Sequence, residues 1–295
     1  MAWAAGLAAA ALWGGAPAQA QSSLSGARPA AEAAADGAQQ PPTGHRTLVD
    51  ASRYPWSAIG RVNVAVSRRG HCTGALIGER LVVTAAHCLF FRETGRWVAP
   101  QFVHFLAGYQ RGEHAAYSRA ARYVAAPDFD GARWSDPLNL PNDWALIVLE
   151  EPIGREVGHL GWRALTPGGE SEALMRANPV SLAGYPRDRQ HAMSLDAGCR
   201  LERFLTVTRD KPPLIGHRCA IIGGDSGAPM AFTAEDGGLQ VVALNSAADV
   251  RLSNGERINS AVPLSTFAAE IAALIAETEP GATALSTSRR GAPPR

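Results

Sequence analysis

Gly223-Gly224-Asp225-Ser226-Gly227-Ala228-Pro229 sets a serine between glycines, with an acid directly before it. Glycine permits a tight turn, and such a turn presents one hydroxyl and free backbone N–H groups together. Acyl transfer needs that arrangement: a nucleophile, and donors aimed at the oxygen that becomes negative. Gly, Asp and Ser also build ordinary turns, so the stretch taken alone does not distinguish the two. What decides it lies upstream.

A nucleophilic serine needs a base, and the base needs an orienting acid. The base candidate is His87, in Leu81-Val82-Val83-Thr84-Ala85-Ala86-His87-Cys88. The acid candidate is Asp143, ahead of the apolar run Trp144-Ala145-Leu146-Ile147-Val148-Leu149, with Asp130 and Asp136 competing in the same loop. The order His, Asp, Ser excludes the α/β-hydrolase elbow, which needs Gly-x-Ser-x-Gly and the order Ser, acid, His. On the Thr-Ala-Ala-His-Cys and Gly-Asp-Ser-Gly-Ala-Pro motifs the chain resembles the chymotrypsin/trypsin family of serine proteases. Within that family it looks like the secreted bacterial type related to glutamyl endopeptidases. The resemblance implies that His87 takes the Ser226 proton, that Asp143 orients the imidazole, and that Gly224 and Ser226 N–H groups form the oxyanion hole. It implies no cofactor, and proteins or peptides as substrates.

Pro (20) and Gly (30) are frequent, which suits short strands joined by turns. Strands are expected at residues 57–66, 72–77, 81–84, 102–107, 120–124, 145–149, 180–183, 201–207, 228–232, 239–245 and 260–262, an all-β barrel or sandwich pattern. The resemblance, covering roughly residues 47–276, turns this into two six-stranded antiparallel barrels with the site between them. His87 and Asp143 would come from the first barrel and Ser226 from the second. Phe267, Ile271, Leu274 and Ile275 fall at helical spacing and predict one amphipathic C-terminal helix.

Residues 1–20 read as a secretory signal, with an apolar core at Ala8–Trp13 and Ala18-Gln19-Ala20 as the cleavage site, although no Lys or Arg precedes the core. Gly14, Gly15 and Pro17 cut the run too short to span a membrane. The mature protein is therefore expected to be secreted or periplasmic, off the membrane, and a monomer. Residues 21–46 have propeptide or linker composition, 47–278 form the protease domain, and 279–295 read as a flexible tail. Relatives of this type are cut after a basic residue, and the new amino group then pairs with the acid before the serine. Here that implies cleavage after Arg46 and pairing of Thr47 with Asp225, although Thr47 replaces the usual Ile.

Four cysteines in an exported chain favour disulfides over metal. The family pairs cysteines at the positions of Cys72 and Cys88; closing a loop of about 15 residues contributes ~3 kcal/mol in the chain-entropy model. Cys199 and Cys219 form the second expected pair. A zinc site recruiting His71 and His217 lacks any Cys-x-x-Cys spacing, so no metal is expected. The remaining histidines read as surface or structural.

By resemblance, the S1 pocket is lined by Ala220 at its base, by Asn245, Ser246 and Ala247, and by Ser260. Trypsin-like enzymes that cut after Lys or Arg place an Asp at the base, and glutamyl endopeptidases carry a His where Asn245 sits. Small or apolar P1 residues are therefore expected, with Asp249 close enough to change that. The net charge of +1 gives no nucleic-acid footprint. Three functions share these residues: an endopeptidase, an esterase on the same machinery, and a catalytically silent homologue used as a binding module.

Overall fold

The structure, a computed structural model, describes residues 45–65, 70–252 and 254–279. The expected signal, most of the linker and nearly all of the tail lie outside the described residues. Six strands, β1 (Ile59–Val64), β2 (Cys72–Leu76), β3 (Leu81–Thr84), β4 (Val103–Ala107), β5 (Ala116–Ala125) and β6 (Ala145–Leu149), close into an antiparallel barrel. Their order around it is β1-β2-β3-β6-β5-β4. β4 alternates buried and half-buried positions as a barrel stave should, but β3 and β6 are buried at every residue. Their runs of Leu, Val, Ile and Ala match that two-sided burial.

The second sheet uses β7 (Val180–Gly184), β8 (Ser194–Cys199), β9 (Leu201–Leu205), β10 (Leu214–His217), β11 (Pro229–Thr233), β12 (Leu239–Arg251) and β13 (Arg257–Pro263). Its pairing order is β8-β7-β11-β12-β13-β10-β9. Arg200 alone separates β8 from β9, so one bent ribbon pairs with β7 at one end and with β10 at the other. That ribbon joins the two ends of the sheet and makes a second six-staved barrel. Thr47–Leu48 adds outside β8, and Gly161–Trp162 runs parallel to β12. The all-β class and the paired barrels agree with the sequence expectation.

A helix, α1 (Gly169–Ala177), precedes the second barrel; its one buried residue is Met175. With a single apolar anchor it has no periodic stripe to announce it. β8 and β10 were also not expected. β8 carries Asp196 and Gly198, residues depleted in strands, and β10 is four residues after two prolines. A turn at Leu264–Phe267 leads into the expected helix, α2 (Ala268–Thr278), which buries Ile271 and Leu274. Although it follows the second barrel, α2 packs on β3 of the first. The Phe267 ring stacks on Trp144 at 4.6 Å and 10°. The turn leading into the helix thereby buttresses the residue next to Asp143.

Candidate active site

Register brings His87 and Asp143 together. β3 and β6 are antiparallel with Thr84 opposite Ala145. Three residues beyond Thr84 and two before Ala145 therefore lie at the same end of the barrel. His87 sits in a short turn, Ala86–Leu89, and the Cys72–Cys88 disulfide ties this turn to β2. Asp143 ends the turn Leu140–Asn142. The carboxylate accepts from the His87 ring, with Nδ1 at 2.8 Å from Oδ2, and from the His87 backbone N–H at 2.9 Å. The Ser246 hydroxyl adds a third donor, 2.6 Å from Oδ2.

Asp143 is fully buried. Burial raises its pKa, but the His87 charge and ring hydrogen bond, the Ser246 hydroxyl and the His87 amide outweigh it, so the carboxyl lies below its usual range. An acceptor held at Nδ1 keeps the proton there and leaves Nε2 free to take another. The competing acids are engaged elsewhere: Asp130 accepts from Ala132 N–H and from Arg133, and Asp136 accepts from Leu138 N–H.

Ser226 lies on the loop between β10 and β11. Gly224 has φ +101°, and a Cβ there would stand 2.2 Å from the Tyr185 carbonyl oxygen. Gly227 has φ +74°, and its Cβ would meet the Thr84 hydroxyl at 2.3 Å and the Thr73 carbonyl at 2.5 Å. Both positions demand glycine. Thr73, on β2, fastens this second-barrel loop to the first barrel. Its N–H donates to the Ser226 carbonyl at 2.9 Å and its hydroxyl to the Gly224 carbonyl at 2.8 Å, while accepting Tyr185 N–H at 3.1 Å. The Asn245 side-chain amide donates to the Asp225 carbonyl at 2.8 Å. Ser226 and His87 line one cleft of about 700 Å³, walled also by Val62, Phe90, Phe91 and Trp134.

These features coincide with a known family. The trypsin family model matches residues 49–271. The chain belongs to the trypsin family. It is 25% identical over 185 residues to the glutamyl endopeptidase of Bacillus licheniformis, covering 62% of this chain and 51% of that protein. It is 23% identical over 215 residues to serine protease filzig of Drosophila melanogaster, covering 62% of this chain but 12% of that protein. The chain thus spans about half the length, or less, of these relatives. A solved Glu endopeptidase in complex with MPD superposes with TM-score 0.59 at 19% identity, covering 78% of this chain and 96% of that one.

For this trypsin-family chain the four cysteines form Cys72–Cys88, as the resemblance implied, and Cys199–Cys219, the second expected pair. Their sulfurs are therefore bound to each other and offer no thiolate beside His87 or His217. The residues expected to line S1 are all buried: Ala220, Asn245, Ser246, Ala247 and Ser260. Ser246, however, spends its hydroxyl on Asp143. Asp249 is tied to Arg257. His71, expected to be structural, donates through Nε2 to the Tyr185 carbonyl at 2.6 Å, and burial pushes its pKa down to about 4.

Four contributors have a place in the site that the sequence did not assign to them. Ser246 was expected to line S1 and instead binds Asp143, and Thr73 is a single hydroxyl in a short strand. Trp134 stands 4.6 Å from the His87 ring, tilted by 37°, from a loop without regular pattern. Arg46 was expected to mark a cleavage point. In the uncut chain its guanidinium is fully buried and pairs with Asp225 at 2.9 Å. Burial pushes Asp225 up to about 6 against the lowering effect of Arg46 and of the Ile222 N–H.

Proposed function

We propose that this chain is a secreted serine endopeptidase that works through His87, Asp143 and Ser226. The observation that carries the reading is the buried Asp143 carboxylate, which holds His87 through Nδ1 while Ser226 opens onto the same cleft. In the reaction, Ser226 Oγ attacks the scissile carbonyl carbon as His87 Nε2 accepts its proton. The imidazolium is stabilised by Asp143 and then gives that proton to the leaving amine. Gly224 and Ser226 N–H groups donate to the oxyanion. Water, deprotonated by His87, attacks the acyl-enzyme and frees Ser226.

At S1, Ala220 supplies no acid for a Lys or Arg side chain. The relatives' name points to glutamate, but here Asn245 stands where those enzymes carry His, and its amide is engaged on Asp225. Small or apolar P1 residues fit best. Two disulfides fit an oxidising compartment, in line with export directed by residues 1–20. No helix among the described residues is long and apolar enough to cross a membrane.

Fluorophosphonate labelling, lost in Ser226→Ala, followed by hydrolysis of P1-varied peptides and matched esters, tests this. Absence of label in folded protein would favour a silent binding homologue, and fast cleavage after Lys or Arg would overturn the P1 assignment. Turnover of esters without peptides would favour an esterase.

A further inference from the structure

Beyond the triad, the loop carrying Ser226 is held by a cation contributed by the earliest described strand region. Arg46 Nη1 donates to Asp225 Oδ2 at 2.9 Å and to the Ala220 carbonyl at 3.2 Å, and Nη2 donates to the Ser194 carbonyl at 2.6 Å. One guanidinium thus binds the acid before the nucleophile, the base of the expected S1 pocket and the first residue of β8. The planar fork suits several acceptors at once, which a single ammonium at a chain end matches less well.

We propose that Arg46 is a positioning residue that sets the Ser226 loop in its working form in the uncut chain, so that cleavage between Arg46 and Thr47 is not required for activity. This rests on the assignment of Ser226 as nucleophile. The backbone around the bond is fastened on both sides. Arg189 donates to the Arg46 carbonyl at 2.7 Å, Thr47 and Leu48 pair with β8, and Val49 N–H donates to the Met193 carbonyl at 3.2 Å. A processing protease that cuts after arginine must take that side chain into its own pocket, yet here the side chain is 0% exposed. Cutting would have to remove the cation from Asp225 first. Until a new Thr47 amino group took its place, Asp225 would be a buried carboxylate without a cation, which is strongly unfavourable.

The test labels the full-length chain with fluorophosphonate, measures the intact mass of the labelled species, and compares Arg46→Gln and Arg46→Lys. The expected labelled wild-type species retains Arg46 joined to Thr47. Arg46→Gln, folded by circular dichroism, should lose about 100-fold in kcat with KM little changed, the scale set by one misplaced oxyanion donor. Arg46→Lys should recover part of that loss, because it restores the charge. A purely structural role would lower Tm without this split or rescue. Label confined to chains beginning at Thr47, or a folded Arg46→Gln as fast as wild type, would overturn the role of Arg46 and leave the protease assignment standing. No label on any wild-type species would remove both.

Discussion

Replacing Thr73 by valine isolates the hydroxyl that joins the two barrels at the nucleophile loop. Valine matches threonine in shape and β-branching, so the strand and its packing persist. The backbone bond from residue 73 to the Ser226 carbonyl also persists. What disappears is the donor to the Gly224 carbonyl and the acceptor for Tyr185 N–H. Thr73 is 0% exposed, so water does not readily replace it. Each stranded buried group costs about 1–3 kcal/mol, giving a loss of roughly 2–6 kcal/mol. For a domain of this size, that lowers Tm by about 4–24 °C. Gly224, released on one side, should misplace its N–H and reduce kcat by about 100-fold. Calorimetry and steady-state kinetics on Thr73→Val and Thr73→Ser, the latter keeping the hydroxyl, measure both effects. If Thr73→Val matched wild type in Tm and kcat, the loop would not depend on this link and the reasoning would fail.

Two further outcomes concern backbone and pH. Gly227→Ala should destabilise by more than about 3 kcal/mol, since a left-handed φ and two short contacts coincide; Gly169→Ala, with open space around its Cβ and a helix start, should stay near wild type in the same urea titration. His217 is fully buried, and burial pushes its pKa from 6.5 down to about 4. The unfolded chain therefore binds a proton first, so this residue's contribution is present above pH 6.5 and lost as pH falls through 4. It is worth about 3 kcal/mol at 1.36 kcal/mol per unit. Thermal midpoints of His217→Gln should consequently fall less than wild type between pH 7 and pH 4; an equal fall would show that His217 does not carry the acid sensitivity. Asp225, with its raised pKa, contributes with the opposite sign over pH 4 to 6, and the comparison between the two chains cancels it.

The sequence announced those parts of the fold whose chemistry is local. Runs such as Leu81–Thr84 and Ala145–Leu149 are apolar enough to name buried strands by themselves. The glycines around Ser226 report backbone angles that other residues reject. β8 stayed hidden because Asp196 and Gly198 interrupt its pattern, and because its reason for being a strand is pairing with β7 across the 185–193 connection rather than its own propensity. Distance along the chain hid the supporting residues of the site. Ser246 is 103 positions from Asp143, and nothing in its neighbours distinguishes a hydroxyl aimed at a carboxylate from one lining a pocket. Arg46 was visible as a basic residue before a plausible amino terminus, but its burial depends on Ser194, Ala220 and Asp225 arriving around it.

The Arg46–Asp225 pair joins residues separated by 179 positions. Synthesis runs from the amino end, so the guanidinium emerges before its carboxylate has been made. At roughly 5–20 residues per second the interval lasts on the order of ten to forty seconds. During that time the earliest described segment waits for the loop that precedes β11. A chain interrupted between Asp143 and Asp225 has the cation, the histidine and the aspartate, yet neither the partner acid nor the serine. Arg46 can therefore be seated only after the ribosome has delivered the parts of the second barrel that supply Ser194, Ala220 and Asp225.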